Sequence, residues 1–192
     1  NAGGLFAIDN GNLVVAGALD YESATSHEVT IRVTDSAGHS YDKVFTIAVS
    51  DVAGVTVDDT GGVNVLTGTP EADTLNGLGG NDLLQGLGDN DTLDGGTGFD
   101  RAVYTDATGG ITVNLAAGTA SGPGVGSDTL VNVEGVVGSD FADTFNATGF
   151  NGDSVAPGTP LGFNEFEGRG GDDTITGNVN SQGAALTRVN YL

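Results

Sequence analysis

G-T-P-E-A-D-T-L-N (Gly68–Asn76), G-L-G-G-N-D-L-L-Q (Gly77–Gln85), G-L-G-D-N-D-T-L-D (Gly86–Asp94) and G-G-T-G-F-D-R-A-V (Gly95–Val103) follow one another without a gap. Each unit has nine residues. Glycine opens each, at Gly68, Gly77, Gly86 and Gly95. Aspartate holds place six, at Asp73, Asp82, Asp91 and Asp100, and an apolar residue holds place eight, at Leu75, Leu84, Leu93 and Ala102. A fixed internal period decides the fold before any other feature, because stacked repeats bury a core that no single repeat could.

The register extends outward from this run. Asn64 stands nine before Asp73 and Leu66 nine before Leu75, so Asn64–Gly68 reads as a degenerate turn capping the array. Residues 53–66 are expected to be a linker and that capping turn. After Asp100 the period breaks. Ile111, Val113 and Leu115 alternate with Thr112 and Asn114, Ser121–Gly126 is a glycine-proline loop, and Thr129–Val137 is a second β-prone run. Residues 103–137 are therefore expected to be a hairpin insertion. The unit then returns as G-S-D-F-A-D-T-F-N (Gly138–Asn146) with Asp143 at place six, and as G-R-G-G-D-D-T-I-T (Gly168–Thr176) with Asp173. Asn164–Gly168 repeats the asparagine-started half-turn. R-V-N-Y at Arg188–Tyr191 lies 87 residues after R-A-V-Y at Arg101–Tyr104, a second and longer period. Residues 67–192 are expected to form one roll. The absence of methionine and the broken repeats at both ends lead us to expect an interior piece of a longer protein.

Composition points the same way. Five Lys+Arg stand against 26 Asp+Glu, a net charge of −21, and twenty of the acids are aspartate. Such a surface repels nucleic acid and anionic membranes and attracts cations. Aspartate beside glycine is what tight turns of oxygen ligands need. No run approaches the ~18 apolar residues of a membrane span. Without cysteine there is neither a disulfide framework nor a thiolate metal site.

The period has a geometric meaning. A six-residue glycine-rich turn followed by a strand of three cannot pair with its own neighbour in sequence, so two units complete one coil and return the chain over itself in parallel register. Parallel strands lie about 4.8 Å apart, and calcium takes oxygen ligands at roughly 2.3–2.6 Å. Stacked aspartates can therefore share an ion, Asp73 with Asp91 on one edge and Asp82 with Asp100 on the other. Asp143 and Asp173 belong to the same set. Main-chain oxygens of the turns complete the ligands, and Gly80, Asp89, Gly98 and Asp172 are the turn positions expected to contribute. Leucines at place eight fill a thin core. Without metal the carboxylates repel, so folding is expected to depend on calcium.

The pattern resembles the calcium-binding nonapeptide repeats of RTX (hemolysin-type) proteins, G-G-x-G-x-D-x-U-x, which form parallel β-rolls. Gly95-Gly96-Thr97-Gly98-Phe99-Asp100 matches every fixed place of the turn, while Gly77–Leu84 and Gly86–Leu93 carry leucine at place two. The resemblance implies an extracellular protein, exported in one step from a Gram-negative bacterium and folding outside, where calcium is millimolar.

Residues 1–52 read differently. Leu5–Asp9 and Asn12–Val15 flank Asn10-Gly11, a two-residue hairpin turn. Glu28–Thr34 and Tyr41–Val49 alternate around the turn Asp35–His39. The succession L-F-A-I-D-N-G-N-L, L-D-Y-E, I-R-V-T-D and F-T-I-A-V-S-D-V resembles the second half of a cadherin-like repeat. That resemblance implies calcium ligation by Glu22, Asp35 and Asp51 at a domain junction. The closing linker reads Asp51-Val52-Ala53-Gly54, where the family has Asn-Asp-Asn. The expected fold is thus all-β: a partial antiparallel cadherin-like β-sandwich followed by a calcium-binding parallel β-roll with β-hairpin insertions.

Catalytic patterns are sparse. His27 and His39 are isolated, and no H-E-x-x-H occurs. Gly38-His39-Ser40 and Gly152-Asp153-Ser154 lack the closing glycine of a nucleophile elbow. The chain is expected not to be an enzyme. A cadherin-like half-domain joined to a roll suggests a segment of a large secreted or surface adhesin, with calcium as cofactor and a cell-surface protein or glycan met through other parts of the protein. The alternative is the calcium-dependent C-terminal module of a secreted metalloprotease or lipase.

Overall fold

A computed structural model describes residues 4–19, 21, 24–50, 52–152, 162–179 and 183–190. Among them every regular element is a strand. The chain divides into two units, Asn1–Val52 and Ala53–Leu192.

The first unit holds two hairpins. Strands β1 (Phe6–Asp9) and β2 (Asn12–Val15) pair antiparallel with Asp9 opposite Asn12. Asn10 and Gly11 between them both take positive φ, 48° and 84°, the turn whose twist suits a two-residue hairpin. Strands β3 (Ser26–Thr34) and β4 (Ser40–Ala48) pair from Ser26 opposite Ala48 to Thr34 opposite Ser40. Each pair is a separate two-stranded sheet. Val29 is the buried apolar residue here, whereas Val33, Tyr41 and Val44 are exposed. The two hairpins face each other, Phe6 edge-on to His27 at 5.9 Å between ring centroids, and that contact encloses Val29 while most of the other alternating side chains stay exposed.

The second unit is a roll of two parallel sheets. Its first strands are β5 (Thr56–Asp58), β6 (Val65–Thr67), β7 (Thr74–Asn76), β8 (Gly79–Gly80) and β9 (Leu83–Gln85). Then come β10 (Thr92–Asp94), β11 (Thr97–Gly98), β12 (Arg101–Val103), β13 (Thr112–Asn114), β14 (Thr119–Gly122) and β15 (Gly126–Val131). The last are β16 (Gly135–Val137), β17 (Thr144–Asn146), β18 (Asn164–Glu167), β19 (Thr174–Thr176) and β20 (Thr187–Asn190). One sheet runs β5-β7-β10-β15-β14-β13-β17-β19, and the other β6-β9-β12-β16-β18-β20. Leu75 sits over Val57 and under Leu93, and Leu84 between Leu66 and Ala102. Two nine-residue units make one coil.

Three-residue strands leave one inward position each. Leu75, Leu84, Leu93, Ala102, Phe145 and Phe166 are wholly enclosed. The core is therefore a single file of side chains from each sheet, meeting midway; Phe145 and Phe166 stack across it at 4.9 Å between ring centroids.

The expected linker and insertion are both shorter than the sequence suggests. Thr56–Asp58 pairs with Thr74–Asn76, because Val57 stands one coil before Leu75 and supplies a place-eight side chain. The roll thus begins inside the expected linker 53–66. Likewise Val103 and residues 126–137 belong to the roll rather than to the insertion 103–137. Leu130 stacks on Leu93 and Val136 on Ala102. What departs from the parallel pattern is the hairpin β13–β14, which enters one sheet antiparallel to β15.

Candidate metal-binding edges

The turns are shaped by glycine at two kinds of place. At place one, a Cβ on Gly68, Gly77, Gly86, Gly138 or Gly168 would collide with the carboxylate five residues on: Asp73, Asp82, Asp91, Asp143 or Asp173. Each place-six carboxylate therefore folds back over its own glycine. At place two the backbone is left-handed, with φ of 57° at Leu78, 79° at Leu87, 81° at Gly96 and 64° at Arg169. The glycine of the pattern answers that requirement, and leucine tolerates it under strain.

The carboxylates form two ladders, one on each edge of the roll. On the first, the Asp73 N–H donates to Asp91 Oδ1 at 2.8 Å and the Asp91 N–H to Asp128 Oδ1 at 3.0 Å. On the second, the Asn64 N–H donates to Asp82 Oδ1 at 2.8 Å, Asp82 N–H to Asp100 Oδ1 at 2.7 Å, and Asp100 N–H to Glu134 Oε2 at 3.0 Å. Asp73 stacks with Asp91 and Asp82 with Asp100. Asp73, Asp82, Asp91, Asp100 and Asp128 are buried.

One oxygen of each is thereby used, and the second decides the chemistry. Oδ2 of Asp82, Asp91, Asp100 and Asp128 is buried without a hydrogen-bond partner. A buried, unmatched carboxylate oxygen is costly, and a cation is what offsets it. Among the described residues no three His, Asp or Glu side chains converge as a ready-made cage. The remaining ligands have to be main-chain oxygens, which suits calcium with its six to eight oxygens in flexible geometry. Such oxygens line the stack. The Gly80 carbonyl presses where a Gly98 Cβ would stand, the Gly62 carbonyl where a Gly80 Cβ would, and the Asp89 carbonyl against Gly126. The donor set fits calcium.

Electrostatics report the same mismatch. Burial pushes Asp91 up to about 7, with the neighbouring charges of Asp128, Asp73 and Asp89 adding to it and the Asp73 N–H opposing. Burial likewise raises Asp100 to about 7, helped by Glu134, Asp82 and Asp94. Asp128 rises to about 6, again through burial. The Tyr104 phenol, enclosed against Asp128, is held well above its ordinary value by burial and by that charge.

The other sequence-derived residues differ. Asp143 is buried but has both oxygens engaged, Oδ1 by the Ile111 N–H and Ser139 Oγ and Oδ2 by the Ser139 N–H. Asp173 is half-buried, and its Oδ1 accepts the Asp143 N–H at 3.0 Å. Asp172 is exposed. In the first unit Asp35 accepts the N–H groups of Ala37 and His39 within its own turn. Glu22 and Asp51 lie outside the described residues.

Sequence reasoning missed Asp128 and Glu134, which continue the two ladders. Their signals differ: Gly124-Val125-Gly126-Ser127-Asp128-Thr129-Leu130 keeps the glycines of places two and four with the acid and the apolar residue, while Glu134-Gly135-Val136 keeps only the acid at place six and the apolar residue at place eight. Comparison with known families finds the RTX calcium-binding nonapeptide repeat, in four copies, over residues 60–102 and 161–179. No curated protein matches the chain. The matched stretches include both aspartate ladders from Asp73 to Asp100 and the coil that carries Asp173, and between them β15, β16 and β17 continue the parallel stacking without the full pattern. This chain carries RTX calcium-binding nonapeptide repeats, and the ion they bind is calcium.

Proposed function

We propose that this calcium-binding module is a segment of a large secreted or cell-surface adhesin, in which calcium met outside the cell sets the fold. The observation that carries the reading is the tandem itself: a β-hairpin unit joined to a calcium roll, two modules of different construction in one chain. RTX repeats are typical of extracellular proteins, where the free calcium they need is abundant. The role is binding and support, with no catalytic part.

The physical basis is the imbalance inside the roll. Its core is one side chain deep per sheet, and ordering so many glycines costs much backbone entropy. Four buried aspartates with unmatched oxygens, Asp82, Asp91, Asp100 and Asp128, add to that cost. Metal binding then becomes part of the folding free energy, and the free-calcium level selects the state. A segment exported through a narrow channel would pass unfolded and stiffen on arrival.

Cells displaying the full-length product test this. They should attach to a surface or to partner cells in millimolar calcium and detach in chelator. Calcium-dependent protease or lipase activity of the full-length product, without attachment, would instead make the roll the module of a hydrolase.

A further inference from the structure

We propose that the roll is built as two blocks: a nucleus around β12, β16, β18 and β20 that holds together without calcium, and the coils from β5 to β11, which calcium adds to it. The proposal rests on the reading that calcium drives folding of the roll.

The unmatched carboxylate oxygens are unevenly spread. Among the described residues the five aspartates that carry one, Asp59, Asp82, Asp91, Asp100 and Asp128, all lie between residues 59 and 128. Beyond them the same places are satisfied by the protein itself. Asp143 has its partners in Ser139 and Ile111. Place six before Phe166 is Asn164, a neutral side chain whose Nδ2 donates to the Gly162 carbonyl at 2.9 Å and whose Oδ1 accepts from Thr187 Oγ1 at 2.8 Å.

Where the earlier coils carry uncompensated charge, β18 carries a matched one. Glu165 is 2% exposed. Its Oε1 accepts Arg101 Nη2 at 2.7 Å and Asn190 Nδ2 at 2.8 Å, and its Oε2 pairs with Arg188. The chain has only five Lys and Arg, and two of them meet on this one carboxylate. Each guanidinium also lies over an aromatic ring, Arg101 over Phe99 at 5.0 Å and Arg188 over Phe163 at 5.6 Å, and those rings touch at 5.8 Å. The clamp ties β12, β18 and β20, across 64 residues on one side and 23 on the other. Guanidiniums that pair with a carboxylate while stacked on rings are well suited to matching a buried charge. Beneath the clamp the core is also larger, with Phe145 against Phe166 where earlier coils have leucine and alanine.

Amide hydrogen exchange of the whole chain, followed by mass spectrometry, separates the blocks. In chelator, peptides over β16, β18 and β20 should exchange at least tenfold more slowly than an unstructured chain, while those over β5 to β11 exchange freely; in calcium all should be protected. Free exchange throughout in chelator overturns the proposal. No gain over β5 to β11 on adding calcium would instead overturn the calcium reading itself. Glu165→Gln should remove the chelator-resistant protection, and protection equal to wild type would discard the clamp. Should Glu165→Gln fail to fold even in calcium, Asp82→Asn decides: it should leave the chelator-resistant peptides unchanged, and their loss would show that the blocks are not separate.

Discussion

At place two of the repeat the backbone demands positive φ, and Leu78 meets that demand at 57° while 55% exposed. A left-handed conformation costs a branched L-residue about 1–2 kcal/mol, and a new glycine costs about 0.5–1 kcal/mol in unfolded-chain entropy. Relief exceeds cost, so Leu78→Gly is expected to stabilise the calcium-loaded roll by up to about 1 kcal/mol, read as a higher thermal midpoint. Protons act on the same turns. Asp91 and Asp100 near 7 and Asp128 near 6 stand above the ordinary value of 3.8, so the metal-free fold holds protons that the unfolded chain has lost. Linkage then makes metal-free stability greatest below about pH 4 on their account, falling as pH rises through 6 and 7. In chelator the β signal of these coils should drop between pH 5.5, where the folded carboxylates hold protons, and pH 8, where the coils are unfolded. In saturating calcium, which holds these carboxylates ionised, that trend should vanish; a parallel drop in both conditions would remove these residues from the metal site.

At the scale of elements, turn stacking depends on glycine where backbone meets backbone. Gly98 sits at φ 141° with its missing Cβ aimed at the Gly80 carbonyl, and β8 and β11 pair through these residues. Gly98→Ala is expected to separate the two turns and raise the calcium midpoint severalfold, measured by circular dichroism. How much of this was written in the sequence depends on which residues carry it. The coil, its eighteen-residue return and the inward leucines were legible because place one, place six and place eight each serve a different contact and recur together. Glu134 was not, because its turn passes through Asn132 at φ 50° without glycine at places one, two or four. Asp128 follows Gly124 and Gly126 at φ 83° and 66°, but Pro123 replaces the opening glycine and the unit stands one residue out of the nine-residue register. Ile111 marks the complementary case. It occupies place six of β13 and gives Asp143 its N–H without contributing a carboxylate. No period of nine announces that substitution.

For the molecule as a whole, a net charge of −21 makes many cations attractive, yet the ladders select among them. Magnesium demands near-octahedral geometry at about 2.0–2.1 Å and gives up water reluctantly. Turns spaced by strand pairing at about 4.8 Å cannot close on so small an ion. Equal concentrations of magnesium should therefore leave the β signal of the roll near its chelator value, and recovery of the calcium-loaded spectrum in magnesium would show that the acids act only through bulk charge.

The hairpin β13–β14 adds two strands to one face of the roll and none to the other. Eight strands on one side stand against six on the other, and between β15 and β17 one sheet advances three steps while its partner goes from β16 to β18 in one. At about 4.8 Å a step, the excess is roughly 10 Å of arc. Two faces of unequal length joined at both ends cannot both be straight. The axis of the coil must turn there, with the longer sheet on the outside. Tyr104, Ile111, Val113 and Leu115 belong to the buried core in this part of the roll. Ion loading would then do more than stiffen a rod: it would fix an elbow, at an angle written into the chain by a hairpin that binds no metal.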